Sequence, residues 1–183
     1  PETEGAQAAD HMAEQGLHNA YVVISGDDFA QRAGSAFKAE FEARGGTVAG
    51  NGTLGGGVNY ASVITGLNAA SAASDAGVFI SMKPQQARLL LPQLRLARIN
   101  APVFGTSHIY GSADDAGSNR DLDGVEFSDA PWLFDAQPGL PNHDDIATPL
   151  PAARGVSARL FAFGMDAWNL VPYLDWLHEH PGS

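Results

Sequence analysis

Small polar side chains follow three short apolar runs, and they are the residues of this chain best placed to contact a ligand. If the runs are parallel strands, their carboxyl ends meet at one edge of a sheet, where open α/β sheets bind ligands. Small polar residues suit the rim of such a cleft, although strand ends are also turns, and turns are polar for that reason alone. Both interpretations stay open. The candidate cleft residues are Ser25, Asp27, Asp28, Ser81, Lys83, Ser107 and Tyr110.

Nucleotide binding is not indicated by the loop after the first apolar run. A dinucleotide fingerprint requires Gly-x-Gly-x-x-Gly at this position, whereas residues 25–28 read Ser-Gly-Asp-Asp. Two carboxylates there would repel a pyrophosphate. The three glycines at 55–57 lack the Gly-Lys-Ser/Thr of a P-loop, so we interpret residues 51–57 as a flexible loop. We therefore expect no cofactor.

Metal and catalytic motifs are also incomplete. Residues 119–124 match the opening of a calcium-binding EF-hand loop, but Ala130 occupies the position of its required bidentate glutamate. Ser107 and His108 are neighbours without the Gly-x-Ser-x-Gly elbow of a hydrolase. The two histidines at 178 and 180 point to different faces of a terminal helix, which favours a surface role. We therefore expect no metal site and no catalytic residues.

Composition narrows the classes of partner. The 183 residues include 10 basic and 21 acidic side chains, a net charge of −11, and no cysteine. Such an acidic chain is poorly suited to bind nucleic acid or an anionic membrane surface. The absence of cysteine excludes a disulfide framework and a cysteine metal site. The chain opens at Pro1 without a start methionine, so any targeting segment is expected to lie outside it.

Apolar runs alternate with helical patterns along most of the chain. Phe29, Ala33, Phe37 and Phe41 recur every four residues, which predicts a helix with one aromatic face. Strands separated by helices favour an α/β fold with a parallel, doubly wound sheet. The predicted strands are residues 21–25, a strand starting at 47, 76–81, 101–106 and 124–127, and the further helices are 1–16, 58–73 and 84–97.

The last third of the chain departs from this alternation. Residues 1–135 are expected to form the α/β lobe, and residues 136–156, with four prolines, a linker. Residues 157–183 contain a terminal helix that is apolar nearly all round and kinked at Pro172. Asp166 lies within that helix, where we expect it to cap a neighbouring backbone or face solvent rather than to contact a ligand or act as an acid.

Two stretches resemble a known family. Residues 121–133 (DLDGVEFSDAPWL) and 158–170 (ARLFAFGMDAWNL) are similar to characteristic segments of the LppC/LpoA family, outer-membrane lipoproteins that activate class A penicillin-binding proteins. The similarity extends over nearly the whole chain. The resemblance implies one lobe of a type I periplasmic-binding-protein-like fold. The family-motif residues are Asp129, Pro131, Trp132, Asp166 and Trp168.

The resemblance also implies a function. The expected role is that of a non-enzymatic periplasmic regulator, with a class A penicillin-binding protein as partner and an outer-membrane lipid anchor outside this chain. The alternative is a solute-binding lobe for an amino acid, a sugar or another small ligand. In the family architecture the terminal helix would cross to a second lobe that this chain lacks. Without that lobe, we expect the helix to fold back or to pack on a second copy of the chain.

Overall fold

The protein forms two compact units, one up to residue 128 and one from residue 129 onward. No helix in the described part of the chain is both long and apolar enough to cross a membrane. Part of the glycine run at 55–57 lies outside the described residues. The computed structural model describes residues 1–55, 60–71, 73–111, 116–134 and 136–180.

The first unit is an α/β unit built on five parallel strands in the order β2-β1-β3-β4-β5. This confirms the predicted parallel sheet. The central strands β1 and β3 are almost wholly buried because helices cover both faces of the sheet. The strands are β1 (Asn19–Ser25), β2 (Thr47–Leu54), β3 (Ala76–Ser81), β4 (Val103–Gly105) and β5 (Val125–Phe127).

Eight α-helices lie in the described residues, and four of them cover the sheet. Short 3-10 helices connect several of the others, including Ser107–Ile109 after β4 and Val171–Tyr173 at the predicted kink. The α-helices are α1 (Glu2–Glu14), α2 (Asp28–Ala43), α3 (Tyr60–Ala70), α4 (Pro84–Leu96), α5 (Ala116–Asn119), α6 (His143–Ala147), α7 (Ala158–Leu170) and α8 (Leu174–Glu179).

Alternation along β1 divides its side chains between two apolar cores. Ala20 and Val22 face helices α1 and α2, where Phe37 stacks on Phe79 with ring centroids 4.3 Å apart. Tyr21 and Val23 face the opposite side, against helices α3 and α4. A strand with two apolar faces is stable only when both faces are covered, so all four helices are needed.

Helices α1 and α2 cross at unusually short range. A Cβ on Gly5 would overlap the Ala33 carbonyl oxygen, so only glycine allows the two backbones to approach this closely. Met12, Ala9 and Phe37 are fully buried on the sheet side of this crossing. The position of α1 therefore depends on the missing side chain of Gly5.

The expected loop at 51–57 is wrong for its first four residues, because β2 continues to Leu54. Two glycines of β2 have a packing role. A Cβ on Gly50 would overlap the Tyr21 ring, and a Cβ on Gly52 would lie 3.1 Å from a methyl group of Val63 in α3. Glycine within a strand often marks such a close approach.

The second unit begins earlier than the predicted linker. Trp132 is 3% exposed, and its indole N–H donates to the Pro141 carbonyl oxygen at 2.7 Å. Its ring meets the His143 ring edge-on at 4.9 Å, and His143 begins helix α6. Residues 136–156 thus carry α6 and 3-10 helices that pack within this unit, and the boundary falls at 128/129 instead of 135/136.

Replacing Gly5 with alanine should destabilise the first unit, because the new methyl group would push α1 away from α2. We expect the free energy of unfolding to fall by about 1–3 kcal/mol, the usual cost of overpacking. Urea denaturation followed by circular dichroism measures it. Gln7→Ala, at an exposed site of the same helix, should change stability by less than about 0.5 kcal/mol. Equal stability of Gly5→Ala and the wild type would contradict this account of the crossing.

Candidate functional site

Four polar residues at the carboxyl ends of the central strands are buried. Ser25 ends β1, Ser81 ends β3, and Thr106 and Ser107 follow β4. The sheet order places these three strand ends side by side. The structure therefore gathers Ser25, Ser81 and Ser107 at one edge of the sheet, as the sequence predicts for the rim of a cleft.

Asp27 links β1 to the start of α2. Its Oδ2 accepts a hydrogen bond from the Ser25 hydroxyl at 2.6 Å, and its Oδ1 accepts one from the Ala30 N–H at 3.0 Å, which caps the helix. The Ser25 hydroxyl is the main cause that lowers the pKa of Asp27, and burial partly opposes it. The Ala30 N–H and the charges of His108 and Lys83 lower the pKa further. Asp27 is thus a carboxylate held ionised in place.

The other hydroxyls are also engaged. The Ser81 and Thr106 hydroxyls lie 3.1 Å apart and share a hydrogen bond in a fully buried position. The backbone N–H of Ser107 donates to a Glu4 carboxylate oxygen at 2.6 Å. Glu4 in α1 thereby caps the 3-10 helix that follows β4. No local sequence pattern links Glu4 to a turn so distant in the chain, so this contact is visible only in the structure.

His108 is a second residue that sequence motifs did not single out for binding. Its ring packs on the Phe29 ring with centroids 4.4 Å apart. Its Nδ1 is buried and has no hydrogen-bond partner among the described residues. Because buried polar atoms are rarely left unpaired, this nitrogen is a candidate for a contact that the described residues do not supply.

Three of the predicted cleft residues are placed differently from the buried serines. Asp28 is exposed and pairs with Arg32 at 3.4 Å on the surface of α2. Lys83 is exposed at the start of α4, and its charge reaches Asp27. The Tyr110 ring is partly buried and stacks on Phe127 at 5.7 Å. Among the predicted cleft residues, Ser25 and Lys83 therefore both act on Asp27, and His108 does so in place of Asp28.

The arrangement at this edge favours binding over catalysis. The Ser25 hydroxyl donates to a carboxylate, and no histidine is hydrogen-bonded to it as a nucleophile would require. No group of three His, Cys, Asp or Glu side chains in the described ranges could hold a metal ion. Fixed hydroxyl and carboxylate groups can still orient a polar solute.

Two of the family-motif residues, Asp129 and Trp132, have buried side chains in the second unit. Arg159, at the start of α7, donates through Nε and Nη2 to the two carboxylate oxygens of Asp129 at 2.7 and 2.5 Å. The Asp129 side chain is 3% exposed and that of Arg159 24% exposed. This two-pronged ion pair joins the two sequence motifs across 29 intervening residues. Trp132 follows Asp129 by three residues and lies in the 3-10 helix Pro131–Leu133, which begins at the exposed Pro131.

The other two motif residues face outward. Asp166 is exposed, in agreement with the expectation that it faces solvent, and Trp168 is 76% exposed. Trp168 lines an open groove of about 740 Å³ within the second unit. The groove is mostly apolar, which suits another apolar surface better than a polar solute. Its large apolar lining residues include Leu140, Ile146, Leu150, Leu160, Met165 and Trp168.

Breaking the Asp129–Arg159 pair should destabilise the second unit selectively. Asp129→Asn leaves the partly buried Arg159 without its counter-charge, so we expect a loss of about 2–4 kcal/mol, since removing one partner of a buried pair costs about 3–5 kcal/mol. The three tryptophans lie in this unit, so fluorescence during urea denaturation measures it. Arg159→Lys should lose less, and Asp166→Asn, at an exposed site, should lose nothing measurable. An unaltered midpoint for Asp129→Asn would contradict the role of the pair.

Removing the Ser25 hydroxyl should raise the pKa of Asp27. Because the folded-state pKa is depressed, the Asp27 carboxylate stabilises the fold above its unfolded-state pKa, and that stability is lost as the pH falls through the folded-state value. Ser25→Ala should therefore cost stability at neutral pH, and the pH-dependent part of the loss should vanish in acid. Carboxyl-carbon NMR titration measures the shift directly. Ser81→Ala is the control, and an Asp27 titration equally altered by both variants would contradict the assignment.

The chain is similar in sequence and in structure to penicillin-binding protein activators. The penicillin-binding protein activator LpoA of Erwinia tasmaniensis is 25% identical over 230 residues, which cover 100% of this chain and 33% of that protein. The LpoA (YraM) C-domain from Haemophilus influenzae, described as a regulator of PBP1A, superposes with a TM-score of 0.76 at 25% identity. That alignment covers 100% of this chain and 56% of the domain.

More distant structures share the fold alone. A solute-binding protein of an ABC transporter from R. palustris, solved with benzoate, is 20% identical with a TM-score of 0.57, over 68% of this chain and 34% of that one. The first unit thus has the lobe architecture of periplasmic binding proteins, as the resemblance implied. The family model described as "LppC putative lipoprotein" matches residues 1–183. Because that match spans the whole sequence, the chain belongs to the LppC family.

Proposed function

We propose that this chain serves in a periplasmic regulator, anchored to the outer membrane by a lipid, that activates a class A penicillin-binding protein in peptidoglycan synthesis. The observation that carries the proposal is the match to the LppC family over residues 1–183, together with curated relatives named as penicillin-binding protein activators. The chain spans 33% and 31% of the length of two of these relatives. The proposal therefore concerns the whole protein to which such a chain contributes.

The geometry of the strand ends supports a role without catalysis. The Ser25 hydroxyl donates to Asp27, whose lowered pKa makes its carboxylate a weak base, and the Ser81 hydroxyl shares its hydrogen bond with Thr106, which is not a base. A regulator needs no reactive group, because its effect comes from binding. The polar strand ends then act mainly as structural caps within a fold related to solute receptors.

Activation by such a protein depends on the difference between its affinities for the active and the inactive conformations of the synthase. A regulator shifts the synthase towards its active conformation only if it binds that conformation more tightly than the inactive one. Coupling free energies of about 1–3 kcal/mol, or roughly 5–150-fold, are usual for such effects. Reciprocally, any ligand of the synthase whose affinity the regulator raises should tighten the binding of the regulator by the same factor.

The proposal is tested by adding the full-length protein to a purified class A penicillin-binding protein from the same organism. We expect the rate of glycan polymerisation from the lipid-linked precursor to rise by roughly 5-fold or more and to saturate with added protein. The protein alone should polymerise nothing, and a heat-denatured sample should have no effect. An unchanged rate, with no complex detected by size-exclusion chromatography, would refute the proposal.

A solute receptor would behave differently in the same experiments. An amino acid or sugar bound at Ser25, Asp27 and His108 would stabilise the folded protein and so raise its melting temperature. At a ligand concentration one hundred times the dissociation constant, the free energy of unfolding would rise by about 2.7 kcal/mol. The proposed regulator needs no such ligand to bind the synthase. A solute that stabilises the protein, combined with no effect on the synthase, would favour the alternative.

A further inference from the structure

Helix α4 and its flanking residues carry a concentration of positive charge that contrasts with the rest of the chain. Residues 83–98 contain Lys83, Arg88, Arg95 and Arg98 and no acidic residue, in a chain with a net charge of −11. Four of the 10 basic residues therefore lie in this one segment. Such a local reversal of charge creates a positive potential on an otherwise negative surface.

These charges are not used in ion pairs within the part of the chain that the structure describes. Arg88 donates to the Asn119 side-chain oxygen at 3.2 Å, and Arg95 donates to the backbone oxygens of Asp121 and Asp123 at 3.2 and 2.7 Å. The carboxylates of Asp121 and Asp123 are exposed nearby. Positive charge at this helix is thus bonded to neutral oxygens and remains available to an anionic group.

The basic residues of helix α2 show the opposite behaviour. Arg32 pairs with Glu2 at 2.6 Å, and Lys38 pairs with Glu42 at 3.8 Å. Arg44 pairs with both Asp10 and Glu40. The cations of α2 are therefore paired with carboxylates, whereas those at α4 form no ion pair among the described residues.

The same helix exposes the large apolar side chains of the first unit. Leu89 is 58% exposed and Leu96 84% exposed, and they are the large hydrophobic residues that are exposed among the described residues of this unit. They are seven positions apart, so they lie on one helix face. Between them, Gln93 donates its side-chain amide to the Leu89 carbonyl oxygen at 2.7 Å. The exposed face is an uncharged stripe with leucine at each end, bordered by cations.

We propose that this face, defined by Lys83, Leu89, Arg95, Leu96 and Arg98, is where the chain docks on an acidic protein segment bearing apolar side chains, contributed by the synthase partner. This inference rests on the proposed function and names its contact surface. Leucines supply the apolar anchors, and unneutralised cations recognise carboxylates and steer the encounter. An anionic membrane is disfavoured, since the chain as a whole would be repelled from it.

Binding of the full chain to the purified periplasmic region of the class A penicillin-binding protein tests the surface. We expect Leu89→Ala/Leu96→Ala to weaken the affinity by roughly tenfold or more, as interface anchors do, in biolayer interferometry. Arg98→Glu should mainly slow association, and raised salt should remove most of the difference from the wild type. Circular dichroism should show unaltered folding, because these side chains are exposed.

Matched controls lie on other faces. Lys38→Glu makes the same charge change on α2, and Leu160→Ala truncates a comparably exposed leucine on α7. Both should bind the synthase as the wild type does. A photo-crosslinker in place of Leu96 should capture the synthase, whereas one in place of Lys38 should not.

The outcomes separate the inference from the function. Wild-type binding that the α4 variants leave within about twofold would overturn the docking surface while leaving the regulator role intact. Absence of any wild-type binding would overturn both. The inference would also fail if Leu160→Ala were the variant that loses affinity, if α4 substitutions abolished binding to phosphatidylglycerol vesicles, or if they abolished self-association in analytical ultracentrifugation.

Discussion

Burial of both faces of the parallel sheet is the constraint on which the first unit depends. The side chains of β1 alternate between two apolar cores, so neither face can be left to water. Helices α1 and α2 supply one cover and helices α3 and α4 the other. Glycine is needed where a neighbouring backbone or ring lies too near for a Cβ atom. Gly5 meets the backbone of α2 in this way, and Gly50 meets the Tyr21 ring. Removal of either cover would expose strands too apolar to remain in solution.

The same constraint determines what happens at the strand ends. When β1, β3 and β4 run parallel in a buried sheet, their last polar groups enter the interior together and need partners there. The Ser25 hydroxyl donates a hydrogen bond to Asp27, and the Ser81 and Thr106 hydroxyls share one. The backbone N–H of Ser107, in the turn after β4, donates to Glu4. Residues that could have contacted a solute thus hold the edge of the sheet together. Among the described residues that follow strand ends, the buried Nδ1 of His108 and the buried Oγ of Ser128 stay without such a partner.

Local patterns in the sequence were sufficient for the strands β1 and β3 and for helix α2, because each signal lies within a few residues. The four-residue spacing that ends at Phe41 is an example. Interactions between distant residues could not be read in this way. No residue close to Asp129 in the sequence indicates that Arg159 pairs with it. The glycines of β2 are typical of a loop, and their packing against Tyr21 is visible only in the structure. The second unit depends on such distant pairs, which explains why its start was misplaced.

Two exposed apolar surfaces in the described part of the chain differ in kind. Residues 160–177 expose aromatic and aliphatic side chains on several faces, including Phe163, Trp168 and Trp176. So dense an apolar surface is typical of permanent contacts that resemble a protein interior. Helix α4 instead sets two leucines among charges, which is typical of interfaces that form and separate. For the proposed regulator, a surface of this second type permits both binding to its enzyme and release from it.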